Sequence, residues 1–188
     1  EKQSLDEEIT SSAGILSETE LFQESVDILS DGQLKSTTLI VPEALSEFSD
    51  FIHLQDRETQ EALVLSDDSV IITERLSVLF DLQIGDSFVL RDGDGQEATV
   101  QVGGIAEYYL YHYIYMSPSL YRSAFGKEPV ANQMLCLLRD PESDNSALAT
   151  SLLEQSCVSS VTLTANVRAS FENIVNSLHY VVWVLIIS

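Results

Sequence analysis

Basic residues are scarce in this chain, and their scarcity restricts its partners. Lysine and arginine account for 9 of its 188 residues, against 30 aspartates and glutamates, which gives a formal net charge of −21. A surface of this charge repels nucleic-acid phosphates, so we expect no nucleic-acid partner. It also opposes docking on anionic lipid headgroups, unless a basic or apolar element is supplied locally. The simplest interpretation of the charge is solubility.

Cysteine is also rare. Cys136 and Cys157 are too few for a disulfide-stapled scaffold, and neither has a second cysteine or a histidine at zinc-binding spacing. Cys136 lies in the apolar run 134–138, where a free thiol acts as a small buried hydrophobic group. An oxidising compartment would allow one bridge between the two cysteines, and the sequence does not decide this.

Catalytic motifs are lacking. The three histidines, His53, His112 and His179, are far apart, and there is no G-x-S-x-G elbow, H-E-x-x-H motif or Walker loop. Residues 92–95 (DGDG) resemble the start of a calcium loop, but Gln96 and Glu97 depart from the EF-hand pattern, so a plain hairpin turn is predicted. We therefore expect no enzyme, no cofactor and no metal site, and the chain is not itself an ATPase.

The composition is that of a protein that folds, with 45% apolar residues spread along its length. An Asp-Gly pair at 31–32 predicts a hairpin, and Pro42 is predicted to open a helix that runs to Phe51. Alternating and helical periodicities give the remaining elements. Strands are predicted at 16–29, 35–41, 62–65, 70–72, 87–91, 97–105, 133–138 and 158–164, and helices at 5–12, 74–80 (capped by Thr73), 118–125 and 143–155. This order indicates an α+β fold.

One segment is concentrated in tyrosine. If residues 108–115 form a strand, its alternate tyrosines lie on one face. The functional interpretation is an aromatic surface for a ligand or partner. The alternative is a strand whose tyrosines cover a neighbouring helix and keep their hydroxyls in water. The candidate partner surface comprises Tyr109, Tyr111, Tyr113, Tyr115 and Tyr121.

The last residues are strongly apolar. Residues 180–187 form an unbroken apolar run of eight, too short for a bilayer span of about 20 residues. They are either a buried terminal strand or the first turns of a transmembrane helix. The preceding residues favour the helix, because Phe171, Ile174, Val175 and Leu178 repeat at helical spacing. Tyr180 and Trp183 lie where interfacial aromatic residues are typical.

Several segments, taken in order, resemble the extracellular domain of FtsX/MacB-like ABC-transporter permeases of the Gram-positive type. Residues 70–76 (VIITERL) and 82–90 (LQIGDSFVL) are similar to the family's succession of strand, short helix, V-G-D turn and strand. Residues 104–107 (GIAE) and 112–117 (HYIYMS) resemble the stretch that follows, and 178–188 resemble the start of the next transmembrane helix. The similarity runs from about residue 34 to the end and is weak before it.

The resemblance implies a porter-like α+β lobe (1–61 and 131–170), an inserted β-rich lobe (62–130), and a connector helix leading into the membrane (171–188). It also implies an extracellular position at the cell membrane and a separate cytoplasmic ATP-binding subunit. The domain would act by mechanotransmission, coupling helix motion to the handling of a lipid, lipoprotein or peptide. Two alternatives stand beside it: a signalling domain that activates an extracellular cell-wall hydrolase, and a free-standing secreted enzyme or binding module.

Overall fold

The computed structural model describes residues 14–30, 32–107, 112–141, 143–155 and 158–163. The predicted helices at 5–12 and 171–188 lie outside these ranges. The strands are β1 (Ile15–Ser30), β2 (Gln33–Pro42), β3 (Val70–Thr73), β4 (Ser87–Arg91), β5 (Glu97–Ala106), β6 (Tyr113–Tyr115) and β7 (Gln133–Leu138). The helices are α1 (Leu45–Phe51), α2 (Glu74–Phe80), α3 (Pro118–Phe125) and α4 (Ser146–Leu153). This mixture agrees with the predicted α+β class.

All seven strands belong to one mixed sheet in the order β2-β6-β3-β5-β4-β1-β7. β1 and β2 form the predicted antiparallel hairpin from Leu21↔Pro42 to Ser30↔Gln33. Gly32, with φ of 77°, accommodates the left-handed turn residue. Residues 27–29 of β1 pair with β2 on one side and with β4 on the other, so β1 to β6 close into a ring of six strands.

The chain divides into two compact units, Glu18–Cys136 and Glu1–Ser17 with Leu137–Ser188. Within the larger unit, the main core joins strand residues with one face of α2 and α3. Its fully buried members each contribute about 1.5–3 kcal/mol relative to exposure. They include Ile28, Leu39, Ile72, Leu76, Leu90, Ile114 and Met116. A second cluster packs around Phe48 of α1 and Tyr115 of β6.

Strands from both sides of the predicted lobe boundary at 61/62 pair with one another in the larger unit. β2, from before that boundary, pairs with β6, and β1 pairs with β4. Val26 and Val41 also share one core with Val70 and Val100. The sheet thus interleaves early and late strands, and the assignment of two lobes stays a prediction.

Some predicted elements differ from those observed. Pro42 is the last residue of β2, paired with Leu21, and α1 begins only at Leu45. Residues 62–65 contain an isolated bridge, Gln55↔Ala62, in place of a strand. Among the described residues 158–163 no strand forms, and α4 begins at Ser146 rather than at 143. The apolar pattern of residues 62–65 suits a strand, but in the described structure only the one bridge pairs them, so no strand forms.

Two predicted helices have the predicted bounds, and their caps differ. Ser117 Oγ accepts a hydrogen bond from Leu120 N–H at 3.1 Å, and Pro118 occupies the first turn of α3. Thr73 occupies the cap position of α2 but makes no side-chain cap bond. Its Oγ1 instead accepts the N–H of Tyr113 at 3.3 Å, which ties β3 to β6.

Within the smaller unit, β7 ends beside the start of β1. The N–H of Arg139 donates to the carbonyl oxygen of Gly14 at 3.0 Å, and its guanidinium Nε donates to that of Ile15 at 3.1 Å. A β-carbon on Gly14 would lie 2.9 Å from a Leu148 methyl group. Glycine at this position therefore permits the close approach of α4.

Candidate functional site

The predicted aromatic surface is only partly within the described ranges, which exclude Tyr109 and Tyr111. Tyr113 is half-buried, and Tyr115 is 1% exposed. The Tyr115 ring lies 6.1 Å from that of Phe48 in α1. Tyr115 therefore packs against a neighbouring helix and offers no exposed face to a partner, and its hydroxyl is not in water as the alternative interpretation expects. The assignment of Tyr109 and Tyr111 stays a prediction.

Tyr121, the fifth residue of that predicted surface, is also buried. Its ring packs edge-on against Phe22 at 5.3 Å and lies 5.1 Å from Phe125. Its hydroxyl donates to Glu24 Oε1 at 3.0 Å. Burial raises the pKa of Glu24, partly offset by this hydrogen bond and the nearby Lys127 charge. Burial, together with the hydrogen bond to Glu24, also raises the pKa of Tyr121. The pair anchors α3 to β1.

The Asp-Gly repeat at 92–95 is the predicted hairpin turn between β4 and β5. The buried Asp92 accepts hydrogen bonds from the N–H groups of Asp94 (3.0 Å) and Gln96 (2.8 Å) at Oδ1. Lys127 Nζ lies 2.7 Å from Asp92 Oδ2 and 2.8 Å from Asp94 Oδ2. Burial alone would raise the pKa of Asp92, but the hydrogen bonds from Lys127 and Gln96 outweigh it and lower the pKa. The oxygens of Asp92 therefore hold the turn together.

Metal ligands and thiols show no further grouping in the described ranges. No three His, Cys, Asp or Glu side chains are placed there to hold a metal ion. Cys136 is a free, half-buried thiol, and burial raises its pKa to about 11, helped by the Glu18 carboxylate. Cys157, with which the sequence left a bridge undecided, lies outside the described residues. His53 is exposed, and His179 also lies outside.

A pocket of about 440 Å³ gathers basic residues from separate elements of the larger unit. We call it the basic pocket. The helix α2 supplies a stripe at i, i+1, i+4 and i+5, opposite its core-facing Leu76 and Phe80. The lining residues are Lys35, Arg57, Glu74, Arg75, Val78, Leu79 and His112.

Most of the charged side chains among the described residues that line the basic pocket are cationic. They are Lys35, Arg57 and Arg75, together with the carboxylate of Glu74, whose Oε1 lies 2.6 Å from Arg57 Nη1. Burial, followed by the charges of Lys35 and Arg75, lowers the pKa of His112, so its imidazole is neutral at pH 7. Sequence reasoning did not find this pocket, because its residues are widely separated along the chain.

The part of the chain that the structure describes includes no helix with the length and apolar character of a membrane span. The apolar run at 180–187 and the predicted connector helix lie outside that part. Their assignment as the start of a transmembrane helix stays a prediction.

Comparison with known proteins gives matches among solved structures. No protein-family model matches the chain. No curated protein matches it either. The extracellular domain of the noncanonic ABC-type transporter YknZ from Gram-positive bacteria matches with a TM-score of 0.49 and 14% identity, over 79% of this chain and 76% of that one. The periplasmic region of MacB from Actinobacillus actinomycetemcomitans matches with a TM-score of 0.48 and 11% identity, over 91% of this chain and 82% of that one.

Proposed function

We propose that the chain is the extracellular domain of an ABC-transporter permease and performs no bond chemistry. In this role it couples the motion of membrane helices, driven by a separate cytoplasmic ATP-binding subunit, to the handling of a lipid, lipoprotein or peptide. The observation that carries the proposal is the Ile84-Gly85-Asp86 turn. This turn is the counterpart of the V-G-D element in the family that the sequence resembles.

Each residue type in this turn has a physical reason. Gly85 has φ of 96°, which a residue with a side chain rarely adopts, and its N–H donates to the Val102 carbonyl at 2.8 Å. Asp86 closes the turn by accepting the Gln83 N–H at 2.8 Å, and its own carbonyl accepts the N–H of Val102 at 2.9 Å. The match to the family pattern therefore rests on a turn that needs these residue types.

The other segments of the resemblance within the described ranges pair with one another in the sheet, whereas residues 178–188 lie outside those ranges. Residues 70–76 are β3 and the start of α2, and 104–107 include the end of β5. β6 lies within 112–117 and pairs with β3 at Ile71↔Tyr115, while Ile71 also pairs with Gly104 of β5. Segments recognised separately in the sequence thus form one hydrogen-bonded block.

The side of the membrane on which the domain lies tests the proposal most directly. In the full-length protein, with Cys136 and Cys157 replaced by serine, Val64→Cys places a thiol at a position 84% exposed. A membrane-impermeant maleimide should label it in intact cells. Val102→Cys, at a position 1% exposed, is the matched control and should label only after denaturation. Labelling of Val64→Cys only after cell lysis would overturn the extracellular assignment.

Two further measurements separate the proposal from its alternatives. The coding sequence after Ser188 should continue with about a dozen apolar residues, enough to complete a span of about 20. A polar stretch or a stop codon there would support a free-standing secreted module. The full-length protein should also co-purify with an ATP-binding subunit. Co-purification with a cell-wall hydrolase on the extracellular side would instead favour the signalling role.

A further inference from the structure

We propose that residues 126–132 form a strap across one junction of the ring, and that the ion pair of Lys127 is its releasable end. Loss of this ion pair opens the turn between β4 and β5 while the rest of the ring stays paired. Every contact that carries the inference lies within the larger unit, Glu18–Cys136, so the inference does not depend on the permease proposal.

The junction lies along one edge of β1. β2 pairs with the opposite edge, and in the sheet order β1 stands between β4 and β7. The pairing of β1 with β4 runs from Leu29↔Val89 to Asp27↔Arg91 and ends there. Nearer the start of β1, at Gln23, the strap replaces β4 as the hydrogen-bonded neighbour. This edge of β1 is therefore bonded first to the strap and then to β4.

Asn132 fixes one end of the strap to β1 as a strand residue would. Its Oδ1 accepts the N–H of Gln23 at 2.9 Å, and its Nδ2 donates to the Gln23 carbonyl oxygen at 2.8 Å. Its own N–H donates to the carbonyl oxygen of Leu21 at 3.1 Å. β7 begins at the next residue, Gln133, so this end of the strap is continuous with the sheet.

Lys127 attaches the other end of the strap to the β4–β5 turn by charge. Its Nζ lies 2.7 Å from Asp92 Oδ2 and 2.8 Å from Asp94 Oδ2. The lysine side chain is 34% exposed, whereas that of Asp92 is 0% exposed. A hydrated ammonium on a flexible stem can leave without moving the backbone of the strap. This end is therefore the one that releases.

Release leaves a buried carboxylate without its cation. Oδ1 of Asp92 still accepts the N–H groups of Asp94 and Gln96, but Oδ2 loses the ammonium. An ionised carboxylate that is buried and unpaired is costly, and it regains hydration only if the turn moves outward. Gly93 and Gly95 lie in this turn, and a β-carbon at either position would meet open space, so the turn has room to move.

The base of the turn limits the opening. Arg91 and Glu97 are partners in the β4–β5 ladder, and Arg91 Nη2 lies 2.6 Å from Glu97 Oε1. Beyond this pair, β5 is also held by its pairing with β3. The opening therefore ends at the Arg91↔Glu97 pair and leaves the ring intact.

Hydrogen exchange, measured by NMR for each amide of the full 188-residue chain, tests the proposal. In Lys127→Met the two turn amides, those of Asp94 and Gln96, should exchange about tenfold faster or more. The amides of Asn132 and Val102, which are hydrogen-bonded outside the turn, should change by less than about threefold. Equal acceleration of all four amides would show a general loss of stability and would overturn the proposal. Turn amides that exchange at an unchanged rate would overturn it as well.

Two further variants separate the buried carboxylate from other effects of substitution. Arg122→Met removes an ion pair with Glu128 in which the side chains are 48% and 70% exposed, so the exchange rates should stay within about threefold. Combining Lys127→Met with Asp92→Asn also removes the buried charge, and asparagine keeps an Oδ1 acceptor. This double variant should return the two turn amides toward their original rates. Turn amides that exchange as fast as in Lys127→Met alone would contradict the role given to the carboxylate.

A measurement on the unsubstituted chain decides the matter if Lys127→Met does not fold. At low urea concentrations the two turn amides should exchange at nearly constant rates, because a local opening exposes little new surface. The Val102 amide should exchange faster as urea rises, since its exchange needs a more extensive unfolding. Turn amides that follow Val102 at every urea concentration would show that the turn does not open separately, and the inference would be abandoned.

Discussion

At the scale of single residues, burial raises the pKa of two groups, Glu24 and Tyr121, that belong to no sequence motif. Tyr121 and Glu24 are 97 positions apart, yet their hydrogen bond sits between α3 and β1. Because burial raises the pKa of Glu24 above its ordinary value of 4.5, ionising this group costs the folded state more than the unfolded chain. The stability it contributes is present below about pH 4.5 and is lost as the pH rises through the folded pKa.

The Glu24→Gln variant tests the direction of this dependence of stability on pH. Glutamine keeps an acceptor for the Tyr121 hydroxyl but cannot ionise, so the variant should be more stable than the unsubstituted chain at pH 7. The difference should vanish below about pH 4. Urea unfolding at both pH values measures it. Glu61→Gln, at an exposed position, is the control and should change stability little at either pH. A Glu24→Gln variant that is less stable at pH 7 would contradict the expectation.

At the scale of elements, the pairing of β3 with β5 depends on one glycine. The register shifts between Val70↔Val102 and Ile71↔Gly104, which leaves Gly103 as the extra residue of a bulge. A β-carbon on Gly103 would lie 2.7 Å from Ser69 Cβ, too close to be accommodated without movement of the backbone. The sequence predicted both strands but gave no sign of the bulge.

Gly103→Ala should therefore destabilise the protein by about 1–3 kcal/mol, in the range of overpacking. Gly93→Ala makes the same change in the turn between β4 and β5, where a β-carbon meets open space, and should cost less than about 0.5 kcal/mol. Denaturant unfolding of the two variants side by side gives the comparison. Equal effects would mean that the close approach to Ser69 is relieved at no cost.

At the scale of the whole molecule, the charge of −21 opposes the compact state through self-repulsion. Raising NaCl from 0.01 M to 1 M shortens the screening length from about 30 Å to about 3 Å, so the melting temperature should rise at pH 7. Near the isoelectric point of about 4.1 the same step should have little effect. A melting temperature that falls with salt at pH 7 would show that attractive ion pairs outweigh the repulsion.

The sequence by itself determined those elements whose signals are local. Alternating burial in β4 and β5 and the bounds of α2 and α3 follow from side-chain periodicity. The hairpin at Gly32 follows from turn chemistry. The Ile84-Gly85-Asp86 turn was also readable, because left-handed backbone and turn closure require particular residue types at adjacent positions.

Only the tertiary structure decided how those elements combine. Strand pairing joins segments distant in the chain, and its free energy is a sum over contacts that no local pattern records. The ring therefore combines strands from before and after position 61, and Tyr115 and Tyr121 lie buried rather than on a surface. For the same reason Lys35, Arg57 and Arg75, which belong to no sequence motif, line one pocket. Lys35 lies in β2, Arg57 in the loop that follows α1, and Arg75 in α2, and the fold brings these three elements together.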